Sequence, residues 1–252
     1  MASRTAIEVE SVAKEFRVQH RSYGSLKTHA VALAKDLVRK QRQSFPEIRS
    51  VLRDVTFSIE PGEAVALVGT NGSGKSTLLS ILSRVYLPTS GHVVIRGRMV
   101  SLLELGAGFH QELTGVENVF FNGAVLGLSE ADTASRYDEI VEFSGLDPAT
   151  MDLPVRMYSS GMQMRLGFAT AIHMDADNLL IDEGLAVGDE GFQEKCFAKI
   201  QSLKSAGVTT LMVSHELDHV ERLADRVLWL NRGELVADGP TRDVLAEYRK
   251  SF

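Results

Sequence analysis

The sequence predicts an α/β fold: a parallel sheet carrying helices, interrupted by a mainly helical stretch. Three observations predict it. Short apolar runs typical of buried strands recur along the chain, helical spacing dominates between Glu112 and Ala171, and a glycine-rich turn joins one apolar run to a helix. With 252 residues, 44% of them hydrophobic, the chain is long enough for one large domain or two small ones.

The first hundred residues are rich in predicted strands. Apolar side chains alternate with polar ones at Val55, Phe57 and Ile59, and Pro61-Gly62 is a turn before a fully apolar run. The predicted strands here are Ile7–Val9, Val51–Ile59, Ala64–Val68, Val93–Ile95 and Met99–Leu103.

The second half of the chain turns helical and then returns to strands. Helices are predicted at Asn118–Leu128 and Arg136–Phe143, with a short one near Asp243–Tyr248. The later predicted strands are Leu179–Asp182, Thr209–Val213, Val227–Leu230 and, after the turn Asn231-Arg232-Gly233, Glu234–Ala237.

The glycine-rich turn fits the phosphate-binding pattern G-x-x-x-x-G-K-[ST]. Backbone N–H groups of such a loop surround phosphates, Lys75 reaches the terminal phosphates, and the Ser76 hydroxyl can ligate Mg²⁺. The helix that follows adds a favourable dipole for an anion. The strand before and the helix after disfavour the alternative of a chance glycine-rich turn. The predicted nucleotide-binding residues are Gly69, Thr70, Asn71, Gly72, Ser73, Gly74, Lys75, Ser76 and Thr77.

Two later strand ends carry polar residues that suit the same chemistry. Asp182 ends an apolar strand, where a phosphate-loop ATPase places its Mg²⁺-holding aspartate, and Glu183 after it is a candidate general base. His215, which follows another strand, can contact the γ-phosphate. In isolation, each could be a solvated strand end; in combination with the phosphate loop, they indicate a hydrolytic site.

The run Tyr158–Leu166 resembles the signature motif of ATP-binding-cassette ATPases. The phosphate loop, signature, Asp-Glu pair and histidine follow the family's order, and the resemblance covers the chain from Ile7 onward. It implies a phosphate-loop core with an N-terminal antiparallel β subdomain and a helical subdomain at 105–170, with ATP and Mg²⁺ bound. It also implies a homodimer in which Ser159, Ser160, Gly161 and Met162 act on the partner's nucleotide, and in which Asp189 lies in the dimer-contact loop.

Departures from the family pattern resemble one branch, the ATPase subunits of bacterial polysaccharide exporters. The signature begins with Tyr158 and has Ser160 where glycine is usual, no proline follows Glu183, and Ser101–Gly115 replaces the usual glutamine loop. The branch implies a separate multi-span permease dimer and a lipid-linked glycan such as O-antigen or teichoic acid. The alternatives are a cassette serving another substrate, or a soluble cassette that is not part of a transporter.

Two residue roles that the resemblance implies, the glutamine-loop residue and the adenine-stacking residue, have more than one candidate. Glu104 lies near the position of the usual glutamine, and Gln111 stands where the branch more often has proline. Phe16 aligns with the aromatic residue that stacks on adenine, and Phe45 is a rival, although core packing explains either equally well.

Composition excludes several other classes. The formal net charge of −6 argues against a general nucleic-acid binder. No apolar run is long enough for a membrane span, and the N-terminus lacks a signal-peptide layout. We therefore expect a cytoplasmic protein, peripheral on the inner face of the cell membrane. The single cysteine, Cys196, is interpreted as a structural thiol.

A basic insertion and a short C-terminus complete the prediction of one cassette over 1–252. Residues 20–49 form an amphipathic segment with an apolar stripe that includes Leu26, Leu33 and Leu37. An ordinary surface helix explains this charge pattern, while the resemblance implies a gate helix near the membrane. Residues 238–252 are predicted to form a C-terminal helix with no appended carbohydrate-binding domain.

Overall fold

The computed structural model describes residues 5–18, 47–103, 108–182, 188–214 and 216–251. Glu104, Glu183, His215 and Phe45, together with most of the predicted insertion, lie outside the described residues. The described strands are β1 (Ile7–Val18), β2 (Glu47–Ile59), β3 (Ala64–Val68), β4 (Ser90–Ile95), β5 (Met99–Ser101), β6 (Asn178–Ile181), β7 (Thr209–Val213), β8 (Arg226–Asn231) and β9 (Glu234–Pro240).

The described helices are α1 (Lys75–Leu82), α2 (Gly115–Val125), α3 (Glu130–Ser144), α4 (Pro148–Met151), α5 (Ser160–Ile172), α6 (Glu190–Ser205), α7 (Leu217–Leu223) and α8 (Thr241–Lys250), with a 3₁₀ turn at Val155–Met157. None of the helices in these ranges is both long and apolar enough to cross a bilayer.

A small antiparallel sheet in the order β2-β1-β4 contains the N-terminal strand. Val9, Val12 and Val55 are fully buried on its inner face. Both β1 and β2 extend beyond the predicted segments, because Lys14–Val18 pairs with Glu47–Leu52 after the register shifts near Val12 and Lys14. Pairing between distant segments, rather than local pattern, therefore sets these strand ends.

The larger sheet has the order β5-β6-β7-β3-β8-β9. Strands β5, β6, β7, β3 and β8 are parallel to their neighbours, and β9 runs antiparallel to β8. The fully apolar β3 and the strand β7, which begins with two threonines, are buried along their whole length, as expected for strands covered on both faces. Strand β9 continues three residues past the predicted Ala237, because Asp238–Pro240 pairs with Arg226–Leu228.

Helix starts in the helical layer are set by capping residues. The Thr114 side chain accepts from the Glu117 amide, and Glu117 in return accepts from the Thr114 amide, so α2 begins before the predicted Asn118. The same reciprocal pair between Ser129 and Asp132 starts α3 six residues before the predicted Arg136. Apolar periodicity located these helices, but the caps fixed where they begin.

Candidate functional site

The phosphate loop lies at the carboxyl end of β3, and its shape depends on glycine. Gly69 has a φ of 155° and Gly74 a φ of 113°. A Cβ at Gly69 would lie 2.2 Å from the Leu230 carbonyl oxygen, and one at Gly74 would lie 2.7 Å from Leu52 Cδ2. Both positions are therefore closed to larger residues by the chain's own packing, as well as by their backbone conformation.

A hairpin turn distant in sequence supports this loop. The Gly233 amide donates to the Ser73 carbonyl over 2.8 Å, and the Arg53 amide donates to the Gly233 carbonyl over 2.8 Å. The turn between β8 and β9 thus bridges β2 and the loop. Arg232 next to it has a φ of 50°, the left-handed conformation such a tight turn requires. Sequence analysis located the turn but not this role.

Lys75 is held at the mouth of the loop. The residue is 6% exposed, and its Nζ donates to the carbonyl oxygens of Gly69 at 2.8 Å and Thr70 at 3.2 Å. Lys75 begins α1, whose first-turn N–H groups have no acceptors in their own helix. A confined ammonium beside a helix N-terminus makes this edge of the sheet a site for a multiply charged anion.

A cavity of about 620 Å³ opens over the loop. Its lining joins the phosphate-loop residues to basic residues from β2 and the hairpin turn, and consists of Arg49, Ser50, Val51, Arg53, Asn71, Gly72, Gly74, Lys75, Ser76, Thr77 and Arg232. Thr70 and Ser73 line a neighbouring cavity of about 400 Å³ that Arg232 also borders. The sequence analysis missed Arg49, Arg53 and Arg232, because no local motif marks them.

Asp182 follows β6 at the same edge of the sheet as the loop. In the parallel register Ile181 lies beside Met212 and Met212 beside Ala66, so the ends of β6, β7 and β3 are level. Asp182 is half-buried and Ser76 is exposed in the first turn of α1. A carboxylate and a hydroxyl suit Mg²⁺, which takes oxygen ligands and is usually held by one or two carboxylates together with substrate phosphates.

The signature residues form the N-terminus of α5 in the helical layer. Ser159 is the N-cap, and its Oγ accepts from the Met162 amide at 3.2 Å. Ser159 and Ser160 are exposed, and Gly161 and Met162 are partly exposed. None of these four residues lines the cavity over the phosphate loop. Within the described part of one chain, the signature therefore contributes nothing to the lining of this cavity.

The unusual Tyr158 has a structural explanation in Gly115. Tyr158 is 6% exposed and its hydroxyl donates to the Thr150 carbonyl over 2.7 Å. A Cβ at Gly115 would lie 2.2 Å from this hydroxyl oxygen. These two residues, 43 positions apart along the chain, are thus packed against each other. Burial raises the pKa of Tyr158 to about 12, so it is a neutral donor.

Further bonds join the segment before Gly115 to the segment before the signature. The Val155 amide donates to the Leu113 carbonyl and the Arg156 amide to the Gln111 carbonyl. Arg156 also forms an ion pair with Glu112. The segment that replaces the usual glutamine loop is therefore attached directly to the approach to the signature.

Asp189 is the N-cap of α6. Its Oδ1 accepts from the Phe192 amide at 2.9 Å. Phe192 in turn packs edge-on against Phe143 and Phe168. Asp189 therefore anchors the start of a helix whose first turn is fixed to the helical layer.

Phe16 lies on β1 and is not among the residues that line the cavity. Its ring packs edge-on against Tyr86 at a centroid distance of 5.6 Å, and Lys14 Nζ lies 5.1 Å from the Phe16 ring centroid. These contacts agree with the packing role left open for Phe16, and its role in adenine stacking stays a prediction.

Comparison with known proteins matches this chain to one family. Residues 52–186 match the family model described as ABC transporter. The chain is 44% identical over 250 residues to the O-antigen export system ATP-binding protein RfbB of Myxococcus xanthus, covering 99% of this chain and 57% of that protein. It is 41% identical to a protein of the same name from Klebsiella pneumoniae, over 98% of each chain.

Further matches agree. The teichoic acids export ATP-binding protein TagH of Lactiplantibacillus plantarum is 42% identical over 79% of this chain and 54% of its own length. Among solved structures, an ATP-binding subunit of an ABC transporter superimposes with a TM-score of 0.76 at 23% identity, covering 97% of this chain and 94% of that one. The phosphate-loop ATPase fold predicted from the sequence, with an antiparallel sheet and a helical layer, is confirmed.

The family match, the near full-length relatives and the geometry of the phosphate loop agree, and the chain belongs to the ABC transporter family, as an ATP-binding cassette that hydrolyses ATP.

Proposed function

We propose that this chain is the ATP-hydrolysing subunit of a transporter that exports a lipid-linked polysaccharide, such as an O-antigen or a teichoic acid, across the cytoplasmic membrane. The observation that carries the proposal is the full-length similarity to the Klebsiella O-antigen export protein, at 41% identity. The departures from the family pattern at Tyr158 and in the segment Ser101–Gly115 add support, because both resemble this branch.

The proposed hydrolytic site is divided among three strand ends. Lys75 and the loop amides bind the phosphates, and Ser76 and Asp182 hold Mg²⁺, which neutralises phosphate charge when bound. Glu183, directly after Asp182 in the chain, accepts a proton from the attacking water, and His215 steadies the γ-phosphate. These two residues lie outside the described residues, so their roles rest on the sequence pattern.

We propose that two copies of the chain complete each site. The first turn of α5, which includes Ser160 and Gly161, is exposed and lies away from its own phosphate loop. A second cassette packed head to tail would bring this helix N-terminus to the γ-phosphate. Asp189 would then contact the partner beside the site. One solved structure with the same fold, at a TM-score of 0.72 and 21% identity, is a dimeric cassette bound to ADP and Pi.

The proposed location is the cytoplasmic face of the membrane, against a separate permease dimer. The relatives named for O-antigen and teichoic acid export are ATP-binding proteins of export systems. The basic insertion at 20–49 is proposed to contact the permease, the lipid headgroups or the glycan. Glu104 is proposed as the glutamine-loop equivalent, and Phe16 is proposed as a nucleotide-binding residue near the adenine.

Substitution of the general base tests the hydrolytic assignment. Glu183→Gln should abolish ATP turnover while ATP still binds and promotes dimers, measured by phosphate release and analytical ultracentrifugation. Glu194→Gln, an exposed acid on α6, is the matched control and should leave turnover unchanged. Undiminished hydrolysis in Glu183→Gln would remove Glu183 from this role.

Complementation tests the export assignment separately. A strain lacking this chain should lose surface polysaccharide and accumulate the lipid-linked form on the cytoplasmic side. The wild-type chain and Glu194→Gln should restore export, whereas Glu183→Gln should not. A deletion strain with normal surface polysaccharide would reject the export function, while leaving the ATPase assignment intact.

Deletion of Tyr23–Arg42 tests the insertion. We expect ATP binding by the purified protein to persist while export fails in the same strain. Normal export by this variant would reject the proposed role of the insertion at the membrane.

A further inference from the structure

Phosphate binding does not explain the residues that line one end of the cavity over the phosphate loop. The loop and the start of α1 form the phosphate end, from Asn71 to Thr77. The remaining wall is β2, of which Arg49, Ser50, Val51 and Arg53 line the cavity. A nucleotide bound through its phosphates in this cavity would extend along this wall.

The two directions along β2 differ in chemistry. Val51 lies level with the loop, since a Cβ at Gly74 would be 3.1 Å from the Val51 carbonyl oxygen. Toward Arg53, the strand meets the hairpin turn and the acid Glu234, whose Oε1 is 3.7 Å from Arg53 Nη1. Toward Arg49, two residues or about 7 Å of extended strand away, the neighbours are aromatic.

Arg49 is the cross-strand partner of Phe16. Directly opposed residues in an antiparallel pair project to the same face of the sheet, so Arg49 and Phe16 lie side by side on one face, and of these two only Arg49 lines the cavity. Within the described ranges the Arg49 guanidinium has no ion-pair or hydrogen-bond partner. An exposed, planar cation without a partner is free to stack on an aromatic ligand.

The Phe16 ring is less available for stacking on a purine than its position suggests. Lys14 Nζ lies over the Phe16 ring at 5.1 Å and over the Tyr86 ring at 5.3 Å, and it is anchored by donating to the Leu87 carbonyl at 2.7 Å. The ammonium covers one face of the Phe16 ring and Tyr86 meets the ring edge-on. A purine stacking on that face would have to displace an anchored cation.

We propose that Arg49 is a base-contacting residue of the nucleotide site, with its guanidinium plane stacked on the adenine. Phe16, held by Lys14 and Tyr86, then lies beside Arg49 on the same face of the sheet. This inference rests on the assignment of the phosphate loop to ATP, and it adds a residue that the signature motifs do not contain. It is independent of the substrate that the transporter moves.

Calorimetric binding of two ligands to the full-length protein tests the proposal. ADP and pyrophosphate, each with excess Mg²⁺, share the diphosphate but only ADP carries the base. We expect Arg49→Ala to weaken ADP binding by about fivefold to twentyfold and to change pyrophosphate binding by less than about twofold. Arg49→Lys should also weaken ADP binding, because an ammonium keeps the charge but has no plane to stack.

Arg17→Ala is the matched control, because Arg17 is an exposed arginine on β1, one residue from Phe16 and facing the other side of the sheet. It should leave both affinities unchanged. Unchanged ADP binding in Arg49→Ala, equal weakening of pyrophosphate, full affinity in Arg49→Lys, or an equal loss in Arg17→Ala would each overturn the base contact. If wild-type protein bound neither ligand, the phosphate-loop assignment itself would fail.

Discussion

The phosphate loop and the signature both contain glycines, but the chain's own structure requires only those of the loop. At Gly69 a Cβ would lie 2.2 Å from the Leu230 carbonyl oxygen, and at Gly74 it would lie 2.7 Å from Leu52. At Gly161 the nearest atom, Ser159 Oγ, would be 4.0 Å away, and the backbone has no positive φ. A glycine that its own chain does not need points to a constraint from outside the chain.

This difference indicates which parts of the site are complete in one molecule. The loop is fixed by Gly233, by β2 and by the carbonyls around Lys75, so one chain can hold the phosphates. The signature sits at an exposed helix start with its cap satisfied internally. The proposed ligand of the signature is then the nucleotide of the partner. Single substitutions in the two regions test this difference.

The largest expected effect comes from Gly161→Ala. The methyl group has room in the monomer, so the thermal midpoint and ADP affinity should be unchanged. ATP hydrolysis should fall by about a hundredfold, the scale of losing one positioned donor at a transition state, because the methyl group would stand between the helix and the partner's γ-phosphate. Phosphate release and differential scanning calorimetry measure the two quantities. A stable variant with normal hydrolysis would contradict the proposed role of Gly161 at the partner's nucleotide.

Gly115→Ala should show the opposite profile, with a loss of stability. Its Cβ would collide with the Tyr158 hydroxyl, and overpacking of this kind costs about 1 to 3 kcal/mol in unfolding free energy. Urea denaturation measures this cost. The double variant Gly115→Ala/Tyr158→Phe, which removes the colliding oxygen, should be more stable than the sum of the two single changes predicts. Strict additivity would show that the two residues are not coupled.

Asp189 is a third test position, because it caps a helix and is also proposed to contact the partner. Asp189→Ala removes the cap of α6 and should cost about 1 kcal/mol of unfolding free energy. Asp189→Asn keeps a capping oxygen and should retain most of the stability. If Asp189 also contacts the partner through its charge, both variants should lower hydrolysis alike. Normal hydrolysis in the asparagine variant would limit Asp189 to capping.

The smallest effect concerns Tyr158 and pH. Its pKa is raised by burial from 10.0 to about 12, so the folded state holds the proton more tightly than the unfolded state. This stabilisation of the folded state is therefore complete below pH 10.0 and is lost as pH rises toward about 12. Tyr158→Phe should cost about 1 kcal/mol at neutral pH through the lost hydrogen bond to Thr150.

The same variant should also lose less stability than wild type between those pH values. Urea titrations at neutral and alkaline pH measure both quantities. Cys196, whose thiol pKa burial raises to about 12, contributes a loss of the same sign in both proteins, so only the difference between them reports on Tyr158. Parallel stability curves for the two proteins would contradict the assignment.

The sequence alone determined the parts of the protein whose signals are local. An apolar run, a glycine-rich loop and a helix are neighbours in the chain, so β3, the loop and α1 could be predicted with the roles of Lys75 and Ser76. Capping pairs such as Thr114 with Glu117 are also local, because the two residues are three positions apart. Such pairs allow the helix starts to be predicted from the sequence, although apolar periodicity alone placed them too late.

Tertiary structure decided whatever depends on residues far apart in the chain. Ser73 meets Gly233, Gly115 meets Tyr158, and Arg49 joins the loop in one cavity only after the sheets assemble. No spacing rule links such pairs, because their separation reflects the path of the chain rather than a turn of helix or a step of strand. For the same reason, packing around each glycine, and not the motif that contains it, distinguished the loop from the signature.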